Sequence, residues 1–304
     1  MDHIVECVPN FSEGRRLETI SRLTAAVESV DGAYVLGTHI DTDHNRSVIT
    51  LVASLETIVE AAVRAVATAA ELIDLRQHTG QHPRIGATDV LPFVPVRGVT
   101  MDQCVTLAHE AGERIARELQ IPVYFYQRAA RSIDRRRLEN VRQRGFEELR
   151  ERIEIDPLRA PDVGPPRVHQ SAGAIAIGAR PFLIAFNVNL RTKEISIARS
   201  IAHAVRERDG GLPFVKALGF ELKSRGLVQV SMNLIDYEST GLAEVFAAVR
   251  QQAESLGVEI AGTEVVGLVP EAALDRHAAY FPLLENFTEE TILENCLLTR
   301  MKAG

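Results

Sequence analysis

The sequence predicts an α/β protein of the α+β kind, built as two ferredoxin-like β-α-β-β-α-β subdomains with a ligand cleft between them. Three observations lead there. Apolar residues alternate between the two-residue period of strands and the longer period of amphipathic helices. The order strand, helix, strand, strand, helix, strand is completed once within residues 3–96 and again within residues 182–269. The length, 304 residues, exceeds one small core and suits two of ordinary size.

Each element has a local reason. In the first half "HIVECVP" is a short apolar strand, and Leu17, Ile20, Leu23, Val27 and Val30 then recur at helical spacing. Asp31-Gly32 turns the chain into "AYVLGTH", which pairs as a hairpin with "RSVITLVA". A second helix covers "LETIVEAAVRAVATAAELI", and "LPFVPV" closes the run. Its two prolines predict an edge strand or an irregular one, because proline cannot donate to a ladder.

The second half repeats the order. "FLIAFNVNL" is a strand and "EISIARSIAHAVRER" a helix stopped by Gly210-Gly211. "FVKALGFEL" and "LVQVSMNLI" form a hairpin about Ser224-Arg225-Gly226. The helix "TGLAEVFAAVRQQAESLG" and the strand in "VEIAGTEVVGLV" complete it. Between the halves lie an arginine-rich helical stretch, residues 131–153, and a proline-rich connector, residues 156–166. The expected division is residues 1–180 and 181–304.

Composition excludes several function classes. With 46% hydrophobic and 25% charged residues the chain is an ordinary globular one, and its net charge of −7 disfavours nucleic acid or an acidic membrane as partner. No apolar run approaches the roughly 18 residues needed to span a bilayer, and the start lacks a signal-peptide pattern. Cys7, Cys104 and Cys296 are far apart and odd in number, which suits a reducing cytoplasm and argues against structural zinc.

Four stretches are richer in polar function than a core requires. In "PNFSEG", residues 9–14, Asn10, Ser12 and Glu13 are either ligand contacts or a cap for the following helix. "HIDTDHNR", residues 39–46, alternates His39, Asp41, Asp43 and His44 ahead of Arg46. Imidazole and carboxylate suit divalent metals, but no established zinc or calcium spacing is present, and a polar hairpin explains the stretch equally. "HTGQHPRIGATDV", residues 78–90, sets Gln81, His82 and Arg84 around Pro83 in a loop, a usual place for function. "GAIAIGARPF" comprises Gly173, Ala174, Ile175, Ala176, Ile177, Gly178, Ala179, Arg180, Pro181 and Phe182. Its small residues leave room for a flat ligand against the backbone, or for a closely packed strand; it is neither a dinucleotide fingerprint nor a P-loop.

Taken together, "VECVPNFSEG", "DHNRSV", "HPRIGATDVLPFVPVRGV", "GARPFLIAFNVNL" and "QVSMNLIDYE" resemble, in order, the formiminotransferase family, over about residues 4 to 275. The resemblance implies a dimeric transferase with two α/β subdomains. It moves the formimino group of N-formimino-L-glutamate to nitrogen 5 of tetrahydrofolate and releases glutamate, a step of histidine breakdown and one-carbon metabolism. Tetrahydrofolate is then a co-substrate, and no metal is expected. The family's catalytic histidine corresponds to His82 and its folate-binding stretch to Gly173–Phe182. The cyclodeaminase domain of bifunctional members does not follow here, so a separate cyclodeaminase is a candidate partner.

The chain departs from many members at Gln81, where they carry glutamate before the histidine, and at Pro181, where another basic residue is frequent. The chemistry suits an imidazole. The formimino group is a cationic amidine, already electrophilic; nitrogen 5 must lose a proton and the departing glutamate nitrogen must gain one. One group with a pKa near working pH does both. Asp41 and Asp43 are candidates to face the amidinium, and Arg46, Arg84, Arg180 and Lys193 to hold substrate carboxylates. Three other readings remain: transfer of formyl from N-formylglutamate, whose developing oxyanion would call for hydrogen-bond donors, a folate-binding protein without turnover, and a metal-dependent hydrolase built on "HIDTDH", which would lose activity with chelator.

Overall fold

The computed structural model describes residues 3–42, 44–80, 83–285 and 287–303. The chain divides into two compact units, Met1–Arg180 and Pro181–Gly304.

The first unit runs β1 (Ile4–Cys7), β2 (Asn10–Phe11), α1 (Leu17–Glu28), β3 (Tyr34–Asp41), β4 (Arg46–Ala53), α2 (Ile58–Leu72), β5 (Thr88–Arg97), α3 (Met101–Leu119), β6 (Val123–Gln127), α4 (Leu138–Val141), α5 (Gly145–Arg152) and β7 (Ile175–Ala179). Strand β1 lies antiparallel between β4 and β5, and β3 pairs β4. That is the ferredoxin-like arrangement the pattern predicts. Beyond β5 the sheet continues: β7 runs parallel to β5 on one side and to β6 on the other.

The structure decides two open readings and corrects a third. First, β5 is interior, with β1 on one side and β7 on the other. Pro92 has no N–H, but its carbonyl accepts from Val8 N at 3.2 Å, and the ladder shifts register beside Ile4 and beside Asn10. Of the two expectations, the irregular strand holds and the edge position does not. Second, of the two readings of residues 173–182, the closely packed strand describes residues 175–179, which lie between β5 and β6 in the first sheet. Third, the proline-rich stretch is packed. Asp162 accepts from Phe125 N at 2.8 Å, and the carbonyl of the buried Arg159 accepts from Tyr124 Oη at 2.6 Å.

Helix α3 and strand β6 were not anticipated, although α3 carries a full capping box, Thr100 with Gln103. The helix buries Cys104, Leu107, Ala108, Ala111 and Ile115 on one face. A side chain at Gly112 would stand 2.6 Å from the Phe125 ring, so glycine is what lets α3 meet β6. Helix α2 approaches closely for a similar reason, since Ala61, Ala62, Ala65 and Ala69 are fully buried.

Helices α1 to α3 cover one face of the sheet, over Val5, Cys7, Phe11, Leu51, Phe93, Phe125 and Ile177. On the opposite face Val141 of α4 and Leu149 of α5 pack with Tyr124, Tyr126, Ala174 and Ala176 at the β6–β7 end. The rest of that second face is where polar groups collect.

The second unit runs β8 (Ile184–Leu190), α6 (Ile195–Val205), β9 (Val215–Leu222), β10 (Leu227–Leu234), α7 (Leu242–Ser255), β11 (Ile260–Val266) and α8 (Leu293–Ala303). Its strands order as β11-β8-β10-β9, all antiparallel, which is the predicted β-α-β-β-α-β sheet. Phe186, Val188, Val230 and Met232 meet Ile201, Val245 and Phe246 from α6 and α7 in one core.

Candidate active site

Strand alternation decides which side chains face which way. Glu6 is paired with Val52 of β4 and Val94 of β5, so these share a face; Asn10 is paired with Val48 and Val90. Two-residue steps along β4 put Arg46 on that face with Val48, Thr50 and Val52. Pro92 is paired with Gly178, and Gly178 with Tyr126, which brings Tyr126 and, one step on, Arg180 to the same side. Glu6, Asn10, Arg46, Tyr126, Gly178 and Arg180 therefore share the face opposite helices α1 to α3.

The polar stretches converge at one end of this sheet. Asn45 is the knot, in the left-handed region at φ 50°. Its Oδ1 accepts from Gly14 N at 2.9 Å, its Nδ2 donates to the Thr79 carbonyl at 3.1 Å, and its own carbonyl lies 3.0 Å from His78 Nε2. Ser12 Oγ donates to the Gly86 carbonyl at 2.7 Å, and Ser12 N to the Ala87 carbonyl at 2.8 Å. A Cβ at Gly14 would meet the backbone of Asp41 and Arg46, and one at Gly86 the carbonyl of Ala174. Both glycines are needed for close approach.

His82, Gln81 and Asp43 lie outside the described residues. The flanks of His82 are held on both sides. Before it, Gly80 packs on the His44 carbonyl and Thr79 is tied to Asn45. After it, Arg84 donates to the His78 carbonyl at 3.1 Å and pairs with Glu147 at 3.0 Å, and Ile85 N donates to Asp89 Oδ1 at 2.9 Å.

Asp89 is fully buried and joins two guanidiniums: Arg46 at 3.0 Å and Arg142, from just beyond α4, at 2.5 Å. Arg46 also donates to Asn10 Oδ1 at 2.7 Å. Burial first, then the neighbouring Arg142, pull Arg46 down to about 10, against the support of Asp89. Two cations on one carboxylate leave an excess of positive charge at a partly dehydrated place, which is suited to an anionic substrate group.

A second charged group lies along the same face. Glu6 is buried, and its ionisation is pushed up to about 7 by that burial, with Arg180 opposing. Arg180 donates to the Tyr126 hydroxyl, whose own pKa burial raises to about 12.

The other candidates resolve differently. Glu13 caps the chain ahead of α1: its Oε1 accepts from Arg15 N and Arg16 N, each at 2.9 Å. Asp41 accepts from His44 N at 2.8 Å and faces His44 Nδ1 at 2.6 Å. Burial would raise the Asp41 carboxyl, but these bonds outweigh it and bring it to about 2. That is a local polar turn, and among the described residues no group of three or more His, Cys, Asp or Glu is placed to hold a metal.

Along residues 173–182, Ile175, Ile177 and Ala179 point into the helix-covered core, and Ala174 and Ala176 into the α4–α5 side. Gly173 sits at φ 71°, where a side chain would strike the Ile85 carbonyl. A Cβ at Gly178 would stand 2.6–2.9 Å from the Tyr126 ring. Arg180 is the one side chain of this stretch standing on the polar face of the first unit; Pro181 is exposed and Phe182 packs on the second unit's core. Lys193 is exposed in the turn after β8.

Glu6, Asn45, Asp89, Tyr126 and Arg142 escaped sequence reasoning. A carboxylate in the middle of "IVEC" and an aspartate opening an apolar strand were the available signals. For Arg142, one arginine among many in its stretch, there was none.

Comparison with known proteins covers nearly the whole chain. The formiminotransferase domain, N-terminal subdomain, matches residues 4–180, and the formiminotransferase domain residues 185–297. Glutamate formimidoyltransferase of Thermoplasma acidophilum is 47% identical over 96% of each chain. That of Streptococcus pyogenes serotype M1 is 44% identical over 98% of this chain and 100% of its own. The formimidoyltransferase-cyclodeaminase of Sus scrofa is 44% identical over 94% of this chain, which covers 54% of it. These matches carry one conclusion beyond the fold: the chain belongs to the formiminotransferase family.

Proposed function

We propose that this protein is a glutamate formimidoyltransferase: it moves the formimino group of N-formimino-L-glutamate to nitrogen 5 of tetrahydrofolate, with His82 as the proton shuttle. The observation that carries the reading is the near-full-length identity to two glutamate formimidoyltransferases. It is supported by the fixed flanks of His82 and by the cationic Arg46–Asp89–Arg142 group, whose Asp89 also holds Ile85 N, three residues after His82 in the chain.

In the step, the nitrogen 5 lone pair bonds to the amidinium carbon. Neutral His82 takes the nitrogen 5 proton and returns it to the glutamate nitrogen, whose bond to carbon then breaks. Glutamate leaves, and the formimino group stays on the folate. Arg46 and Arg142 are suited to hold a carboxylate of the glutamate portion; Arg180 is the part of residues 173–182 suited to the folate. Buried Cys7, Cys104 and Cys296, none in a disulfide among the described residues, favour a reducing cytoplasm, and among the described residues no helix is long and apolar enough to cross a membrane. We read the working form as a homodimer without a metal, with tetrahydrofolate as co-substrate.

The test is donor consumption. N-formimino-L-glutamate should disappear only when tetrahydrofolate is present, and N-formyl-L-glutamate should not replace it. His82→Ala should lower turnover about 100-fold or more, the usual scale of general acid–base catalysis, with folate affinity within a few-fold. Near-normal turnover of that variant would remove His82 from the mechanism.

A further inference from the structure

We propose that Glu6 and Arg180 together read the pyrimidinone edge of the folate headgroup. The Glu6 carboxylate accepts from N3–H and the 2-amino group, and the Arg180 guanidinium donates to the 4-oxo oxygen. This rests on the reading that tetrahydrofolate is the acceptor.

The geometry carries it in three steps. Glu6 sits mid-strand on β1, between Val52 of β4 and Val94 of β5, with only 2% of its surface exposed. Among the described residues its carboxyl makes no hydrogen bond, and a buried polar group without a partner is costly. A carboxylate kept in such a place is explained when a ligand supplies the donors.

Arg180 is brought to the same face by the end of β7. Its N–H donates to the Phe93 carbonyl at 3.1 Å, one residue from the Val94 that pairs with Glu6. The guanidinium is fixed from the other side by the Tyr126 hydroxyl. The Tyr126 ring in turn fills the place a side chain at Gly178 would take. Carboxylate and guanidinium thus stand on one face on either side of Val94, close enough for the Arg180 charge to act on Glu6.

The order of these groups fits a particular ligand edge. The pyrimidinone of a pterin offers acceptor, donor, donor along one side: 4-oxo, N3–H, 2-amino. A guanidinium beside a carboxylate presents the complement. The amidinium of formiminoglutamate also has two donors, but it is a cation, and the Arg180 charge beside Glu6 opposes it. A neutral edge meets no such opposition. The groups facing Glu6 are Val52, Val94 and Arg180, with Cys7 next in the chain turned into the core.

The experiment separates headgroup from tail. Wild-type protein and Glu6→Gln are titrated with tetrahydrofolate, with 6-methyltetrahydropterin and with p-aminobenzoyl-L-glutamate. A glutamine puts an NH2 against the ligand's donors, so Glu6→Gln should bind the first two at least 10-fold more weakly, the scale of a lost charged hydrogen bond. Its binding of p-aminobenzoyl-L-glutamate should stay within 2-fold or so. In steady state the KM for tetrahydrofolate should rise while that for N-formimino-L-glutamate holds.

Equal headgroup binding by wild type and variant would overturn the proposal, as would parallel loss of headgroup and tail in a folded variant. Should Glu6→Gln fail to fold, the wild-type protein answers from the ligand side. A tetrahydropterin with methyl in place of the 2-amino group should bind about 10-fold more weakly or worse, and equal binding refutes the contact. Absence of any tetrahydrofolate binding by wild type would instead refute the folate reading, leaving the two failures distinct.

Discussion

Glu6 also makes a prediction about folding that needs no ligand. Burial, opposed in part by Arg180, raises its carboxyl from the ordinary 4.5 to about 7. The folded protein therefore holds this proton more tightly than the unfolded chain does. A raised folded pKa contributes stability at low pH, and that contribution is lost as pH rises from the unfolded value to the folded one. One unit is worth about 1.4 kcal/mol, so the full loss is about 3 kcal/mol, most of it between about pH 5 and pH 8.

Glu6→Gln keeps the shape and removes the titration. Urea unfolding of both proteins at steps across that window gives the stability difference at each pH, and other titrating groups largely cancel in it. Relative to wild type, the variant should gain between about 2 and 3 kcal/mol on going from about pH 5 to about pH 8. A difference that stays flat with pH would show that Glu6 ionises in the folded protein as freely as in water. The argument from burial would then fail, and with it the idea that the protein carries a costly carboxylate for the sake of a ligand.

Two more predictions test the surrounding geometry. Asp89→Asn leaves Arg46 and Arg142 buried with no carboxylate between them and should cost about 3–5 kcal/mol in denaturant unfolding; a midpoint near wild type would mean the pair is solvated. Gly178→Val drives a branched side chain into the Tyr126 ring, 2.6–2.9 Å from the Cβ position. It should lower stability by about 1–3 kcal/mol, read as a fall in Tm, and an unchanged Tm would show that Tyr126 moves aside freely.

What the sequence made legible follows from what repeats. The second unit's sheet appears in sequence as plain alternation and helical spacing, and it folds that way strand for strand. In the first unit the same pattern gave β1, β3, β4 and β5 but stopped there. Strand β7 is composed of Ile175, Ala176, Ile177, Gly178 and Ala179, buried on both faces, so it has no polar alternation to mark it. Its small side chains suggested space for a ligand, whereas the space is filled by Tyr126 and α3. Pro92 suggested an edge because the rule concerns donors; here the strand keeps its place through a carbonyl and two register shifts.

The site divides along the same line. His82, Arg46, Asn10 and Arg180 stood in stretches whose polar composition drew notice. Glu6 did not, because it is one acid inside an apolar run; Asp89 lay within such a stretch but was not singled out, and the meaning of each acid depends on cations brought from residues 46, 142 and 180. Those distances in sequence are closed only by the sheet.

That placement also explains how an acidic chain keeps a cationic working face. The excess acid of the sequence is spent on exposed helix and loop positions such as Glu60, Glu118 and Glu289, each paired to an arginine in water. Such pairs contribute little and leave the interior unaffected. On the polar face of the first sheet, Arg46, Arg142 and Arg180 stand against the carboxyls of Asp89 and Glu6. Burial raises Glu6 to about 7, so its proton bears on how positive the face is. Arg180 is the cation that opposes burial at Glu6, so the balance between those two side chains governs the charge at this end of the face.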